Sequence, residues 1–339
     1  MLTRTPDYYG SFRCLAGACP HSCCIGWEVC IDPETARRYL SQPGPLGERL
    51  RAALRTDEDG DFCFPLRGGR CPFLDRDNLC EIHRTLGEAA TSGTCRSHPR
   101  FIEEYGPFQE ISLAASCPAA CQLLLGSRAA LTFPAVETPG EAEPGDPWLE
   151  PLLAVRTRMM ELLGDRSRPL KRRLSHLLSL AAEAQGLLDE DRAEDLGPLA
   201  ASWRPQPLSP AGAGLFPAAF QLLEMLEILE PDWPDLLRAG AQAAPLPADE
   251  ALLERIAAYF LFRYGLKAVN DGDLLSWVEL CVFAGLAVEH LAAVCGLPEA
   301  LSRFSREIEH DRENLEVLRG AFWREPALSL PHFQAELLR

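Results

Sequence analysis

The chain has 339 residues, 47% of them hydrophobic and 24% charged, which fits a globular protein and excludes a disordered one. Asp and Glu number 49 against 33 Lys and Arg, a formal net charge of −16; so acidic a body repels phosphate backbones, and no nucleic acid is expected as a partner. No apolar leader opens the chain, and its longest apolar run, Cys281 to Val288 between Glu279 and Glu289, is too short to cross a bilayer, so a cytoplasmic protein with no membrane partner is expected.

Eleven of the thirteen cysteines lie at or before Cys121. Cys14, Cys19, Cys23 and Cys24 come first, interleaved with Gly17, Pro20, His21 and Ser22, so the segment has no continuous apolar face to bury. A turn-rich loop of this kind can converge several sulfurs on a soft metal or an iron–sulfur cluster. Trp27 to Asp32 then alternates like a short strand, and Asp32 with Pro33 starts a helix as N-cap and first residue. A turn at Arg67–Arg70 precedes Cys71, and Leu79-Cys80-Glu81-Ile82-His83 opens a second short helix. Cys95 follows, then a strand-like passage ending near Ser112 and a helix beginning at Cys117. Three of these thiols, Cys19, Cys71 and Cys117, precede proline, which presents each sulfur at a break in regular structure.

Reduced cytosolic thiols at this density bind metal more readily than they pair. The expected ligands are Cys14, Cys19, Cys23, Cys24, Cys71, Cys80, Cys95 and Cys117. Zinc takes four thiolates per tetrahedral site, but the paired C-x2-C knuckles of a zinc ribbon are absent. An iron–sulfur cluster of the 4Fe–4S type is therefore the expected group, with zinc as the alternative. Cys30, Cys63 and Cys121 are expected to pack, and Cys281 and Cys295 to lie on apolar helix faces. Arg96 and His98, with Arg100, stand beside Cys95 as candidate donors to cluster sulfides or to an anionic substrate group. Solvent-facing charge is the other reading of these three.

Residues 131–147 are rich in Pro, Gly and Glu and read as a linker. They would separate a cysteine-rich module, 1–130, from a helical domain, 148–339. Helical periodicity recurs in Trp148–Leu163, Leu170–Leu188, Phe216–Leu229, Asp249–Tyr264, Leu274–Leu291 and Pro298–Phe322. The expected fold is thus mainly α: an irregular, metal- or cluster-binding N-terminal module with short strands, then an α-helical domain. In the last helix Leu301, Phe304, Ile308, Leu315 and Phe322 would form the buried stripe, with Glu307, His310 and Asn314 on its flank. Glu-x-x-His is an acid/base spacing, so Glu307, Glu309 and His310 are the candidate catalytic residues, against the alternative of a solvated face. No G-x-G-x-x-G loop, P-loop or nucleophile elbow is present.

The opening Cys14 to Trp27 with Ile31-Asp32, the Cys71-Pro72-Phe73-Leu74 and Cys80-Glu81-Ile82-His83 motifs, Cys95 to Arg100, and Ser116-Cys117-Pro118 resemble the flagellin lysine-N-methylase family. Phe262-Arg263-Tyr264 and Ser305-Arg306-Glu307-Ile308-Glu309-His310 extend that resemblance into the C-terminal half. It implies methyl transfer from S-adenosylmethionine to lysine side chains of flagellin or another protein, with an iron–sulfur cluster held by the cysteines. It also implies a cofactor-binding role for Arg96, His98 and Arg263. Longer members carry a further C-terminal cysteine motif that is not found before Arg339. A non-enzymatic zinc- or iron–sulfur-binding protein is the competing expectation.

Overall fold

A computed structural model describes residues 1–26, 29–57, 60–206, 213–216, 218–243 and 249–338. In chain order the strands are β1 (Leu2–Arg4), β2 (Val29–Ile31), β3 (Arg55–Thr56), β4 (Phe62–Phe64), β5 (Arg100–Glu104), β6 (Phe108–Leu113) and β7 (Ala135–Glu137). Helices α1 (Pro33–Ser41), α2 (Gly44–Ala53), α3 (Glu81–Leu86), α4 (Gly93–Ser97) and α5 (Pro118–Leu125) lie among them. The remainder is helical: α6 (Leu149–Gly164), α7 (Leu170–Asp189), α8 (Leu196–Ser202), α9 (Ala218–Met225), α10 (Trp233–Gln242), α11 (Glu250–Tyr264), α12 (Ala268–Asp271), α13 (Leu274–Cys295), α14 (Leu297–Phe304), α15 (Arg312–Arg324) and α16 (Leu330–Leu338). The protein is mainly helical with short N-terminal strands. Trp27 and Glu28 of the expected strand, and Pro217 in the expected Phe216–Leu229 helix, lie outside the described residues.

Two compact units form, and neither is continuous in sequence. One comprises Phe12–Phe101 with Cys117–Ala120; the other comprises Met1–Ser11, Ile102–Ser116 and Cys121–Arg339. This differs from the expected succession of 1–130, 131–147 and 148–339, and strand pairing is the reason. β1 pairs in parallel with β6 (Leu2 opposite Phe108) and antiparallel with β7 (Leu2 opposite Glu137), in a sheet ordered β5-β6-β1-β7. The stretch read as a linker thus supplies an edge strand, a long-range pairing that local composition does not reveal.

In the cysteine-rich unit β2, β4 and β3 form an antiparallel sheet, with Val29 opposite Phe64. Val29, Ile31, Tyr39, Leu50, Phe64 and Phe73 make its core. The Asp32 carboxylate caps α1 by accepting the Thr35 N–H at 2.9 Å, as the Asp-Pro signal predicts. Cys30 corrects the packing expectation: strand alternation buries Val29 and Ile31 and turns Cys30 outward to solvent. Cys63 on β4 is buried.

In the helical unit α13 lies among α7, α10, α11, α14 and α15. By length and composition α13 could cross a membrane, but most of its apolar side chains are spent on this core. Buried ion pairs tie the unit together. Arg156 donates to Glu110 at 2.6 Å, and Glu254 accepts from Arg173 at 2.5 Å and Arg166 at 2.8 Å. Cys121 and Cys281 are buried here as expected, whereas Cys295, at the end of α13, is only half-buried.

Candidate functional site

The cysteine-rich unit carries all eight expected ligands, Cys14, Cys19, Cys23, Cys24, Cys71, Cys80, Cys95 and Cys117. Their loops are held by backbone pairing rather than by regular elements. The Cys71 N–H donates to the Cys24 carbonyl at 2.8 Å, Gly26 pairs with Gly69 at 3.0 Å, and Leu74 bridges Cys80. Asp75 folds the intervening turn by accepting the N–H groups of Asp77 and Leu79, each at 2.9 Å, and the Arg84 guanidinium at 2.8 Å. Cys95 sits on α4, whose Ser92 cap accepts its N–H at 3.1 Å. Asp32 grips the same turn through the Gly93 N–H at 2.7 Å. Burial raises the Asp32 pKa, but the Gly93 and Thr35 N–H bonds outweigh it and hold the carboxyl at about 2.

Thiol electrostatics divide the neighbouring Cys23 and Cys24. The Cys23 thiol hydrogen-bonds the Cys24 sulfur, which lowers Cys24 to about 7 against its burial; Ser22 and Arg70 assist, and Cys23 is correspondingly raised. Burial pushes Cys71 up to about 12, and the charges of Cys24, Cys80 and Cys95 add to the rise. Cys80 and Cys95 are raised by burial and also by Cys24. Cys117 is raised by burial and by Cys19 and Cys14. Cys24 thus lies within electrostatic reach of Cys23, Cys71, Cys80 and Cys95, and Cys14 within reach of Cys23 and Cys117. Among the described residues, no three His, Cys, Asp or Glu side chains close around a single point. The donor set is nonetheless that of a thiophilic ion, whose positive charge would relieve the mutual repulsion of these thiolates.

The residues expected to support a cofactor are engaged in other ways. Arg96 donates to the Thr91 carbonyl and braces the turn before Cys95. Burial pushes His98 down to about 4, so it is neutral at pH 7. Arg100 stacks over Phe12 with its guanidinium 5.5 Å from the ring centroid. Arg263 is buried in an ion pair with Glu309 at 2.8 Å.

The expected catalytic trio stands in the helical unit, and here the single helix Pro298–Phe322 is corrected. The chain runs through α14, a π-turn at Ser305–Glu309, a break at His310 and Asp311, and then α15, capped by Asp311 accepting the Asn314 N–H at 2.9 Å. A π-turn adds one residue, which rotates the succeeding helix by roughly 100°. Consequently Asn314, Leu318 and Phe322 face the core and Leu315 is only half-buried. Glu307 is fully buried and accepts the N–H groups of Leu229 at 2.9 Å and Glu230 at 2.8 Å; burial raises its pKa against those bonds. Glu309, also buried, accepts both Tyr259 (3.0 Å) and Tyr264 (3.1 Å) hydroxyls beside Arg263. His310 is half-buried, with Nε2 2.7 Å from the Ser116 hydroxyl. None of the three lines either of two cavities in this unit, one walled by Leu174, Leu253 and Gly285, the other by Thr157, Arg158 and Glu161.

The sequence marks Ser116 only as part of the Ser116-Cys117-Pro118 motif and gives no sign that it organises this network. Ser116 is held at every polar atom: its N–H by Ser305 Oγ at 2.8 Å, its carbonyl by Ser302 at 3.1 Å and its hydroxyl by His310. Nothing in the local spacing of Tyr259 marks a hydroxyl that points at a carboxylate 50 residues away.

Comparison with known proteins gives this arrangement its family. The chain is 31% identical over 134 residues to the flagellar biosynthetic protein FliU of Salmonella muenchen, a match covering 38% of this chain and 79% of that protein. It belongs to the FliU and flagellin lysine-N-methylase family. The same identity over 134 residues relates it to the lysine-N-methylases of Salmonella typhimurium and Salmonella choleraesuis, and the match spans 33% of their length. No family model matches the chain. No solved structure matches it.

Proposed function

We propose that the protein transfers methyl groups from S-adenosylmethionine to lysine side chains of a protein substrate, flagellin being the first to test. The observation that carries this reading is the similarity to proteins named lysine-N-methylase, together with FliU as a flagellar biosynthetic protein. In such a reaction the neutral amine attacks the methyl carbon, the carbon–sulfur bond breaks and S-adenosylhomocysteine leaves, while the amine proton passes to a base. His310 is the member of the Glu307, Glu309 and His310 trio that keeps some exposure, and the Ser116 hydroxyl orients its ring. Glu309 would act from behind, holding Tyr259 and Tyr264 in place beside the same turn.

Cys14, Cys19, Cys23, Cys24, Cys71, Cys80, Cys95 and Cys117 would hold the metal group, a 4Fe–4S cluster or zinc. Once bound, the group would crosslink loops whose own apolar core is small. Anaerobic purification followed by iron, sulfide and zinc analysis tests the metal reading. Calorimetry with S-adenosylmethionine tests the donor. Metal without any S-adenosylmethionine binding would favour the non-enzymatic metal protein.

A further inference from the structure

Cys30 and Cys63 lie outside the ligand set and directly face each other across antiparallel β2 and β4. Cysteines in opposite register leave the sheet on the same face with Cβ atoms about 4.5–5.5 Å apart, a range whose lower end meets the roughly 3.5–4.5 Å that a disulfide spans. The two thiols differ in access: Cys30 is exposed and Cys63 is 3% exposed. Arg55 on β3 is the other cross-strand partner of Cys63, so Cys30, Cys63 and Arg55 form one row on the sheet.

We propose that Cys30 and Cys63 form a two-electron dithiol site that takes small disulfides such as oxidised glutathione as its oxidant. The Cys30 thiolate attacks one sulfur of the small disulfide. That S–S bond breaks, and one small thiolate leaves and takes a proton from water. Cys63 then gives its proton to water and its sulfur attacks Cys30, expelling the second small thiol. The protein loses two hydrogens and two electrons, and one small disulfide becomes two thiols. The exposed residue is the attacking thiol and the buried one resolves the mixed disulfide. The product would tie β2 to β4. This site is read from strand register alone and does not depend on the methyl-transfer proposal.

The test incubates the full-length, metal-replete protein with oxidised glutathione, blocks remaining thiols with N-ethylmaleimide and maps disulfide-linked peptides by mass spectrometry. The wild type should yield the Cys30–Cys63 link with little glutathione retained on Cys30. Cys63→Ser should trap glutathione on Cys30, raising the mixed disulfide there at least tenfold, and Cys30→Ser should leave Cys63 unmodified. The exposed position of Cys30 allows that variant to fold, which circular dichroism checks. A wild type that keeps glutathione on Cys30, leaves Cys30 unreacted, or links Cys63 to another cysteine would overturn the proposal. So would a Cys63→Ser variant indistinguishable from wild type at Cys30.

Discussion

Replacing Glu279 with Gln should stabilise the protein at neutral pH and leave it unchanged in acid. Glu279 lies on α13 at 2% exposure; among the described residues no cation pairs with it, and the charge that acts on it is Asp273, of like sign. Burial, with Asp273 adding to it, raises the carboxyl from its ordinary 4.5 to about 9. Proton counting gives the sign. Below pH 4.5 folded and unfolded chains both hold the proton, so nothing is lost. Between pH 4.5 and about 9 only the folded chain keeps it, and stability falls as pH rises. At pH 7 the deficit is about 3 kcal/mol, from ~1.36 kcal/mol per unit over the interval above 4.5, and it levels off near 6 kcal/mol above pH 9. Gln keeps the shape and has no charge to lose. Urea denaturation at pH 4 and pH 7 reads the effect as a shift in midpoint at constant slope. Equal midpoints at pH 7, or a gain of the same size at pH 4, would refute the reasoning.

Glu307→Ala should cost about 1–3 kcal/mol in the same assay, because two half-buried N–H groups, Leu229 and Glu230, lose their acceptor; an unchanged midpoint would show that the cap contributes nothing. Arg263→Met should cost about 3–5 kcal/mol by leaving Glu309 buried without its cation, and Tyr264→Phe about 1 kcal/mol, the larger loss falling on the charged partner. In metal-free protein iodoacetamide should alkylate Cys24 before Cys23, with a half-maximal rate near pH 7; peptide mass spectrometry finding Cys23 first would reverse the hydrogen bond assigned to the pair. Cys23→Ser with Cys24→Ser should lose most bound iron or zinc, and full retention would remove both from the ligand set.

Local signals were read well wherever one residue acts on its neighbours. The Asp32-Pro33 helix start, the turn before Cys71, the short helix after Cys80 and the longer helices α6, α7, α9, α11 and α13 are visible in the sequence, whereas the short α8, α10 and α12 are not. Features set by distant partners were not. The pairing of β1 with β6 and β7 joins residues more than a hundred positions apart, and composition alone made β7 look like a linker. At the candidate site the cluster Glu307, Glu309 and His310 was legible as unusually polar, but its geometry was not. A one-residue π-insertion is invisible to a count at fixed period, and it sends Glu307 to a backbone cap, Glu309 to two tyrosines and His310 to Ser116. The thiols were identifiable by type and density. Their division between buried Cys71 and exposed Cys14 and Cys23 depends on loop pairing that only the fold reveals.

The most direct test of the central claim is methyl transfer itself. Purified metal-replete protein is incubated with methyl-labelled S-adenosylmethionine and flagellin, and the flagellin is digested and mapped by mass spectrometry. The expected result is label on lysine Nζ, falling roughly a hundredfold in His310→Ala, the scale of losing one acid/base group, with metal content unchanged. Flagellin left unlabelled by protein that holds its full metal complement and binds S-adenosylmethionine would contradict flagellin methylation, and label that persists at the parent rate in His310→Ala would remove that residue from the chemistry.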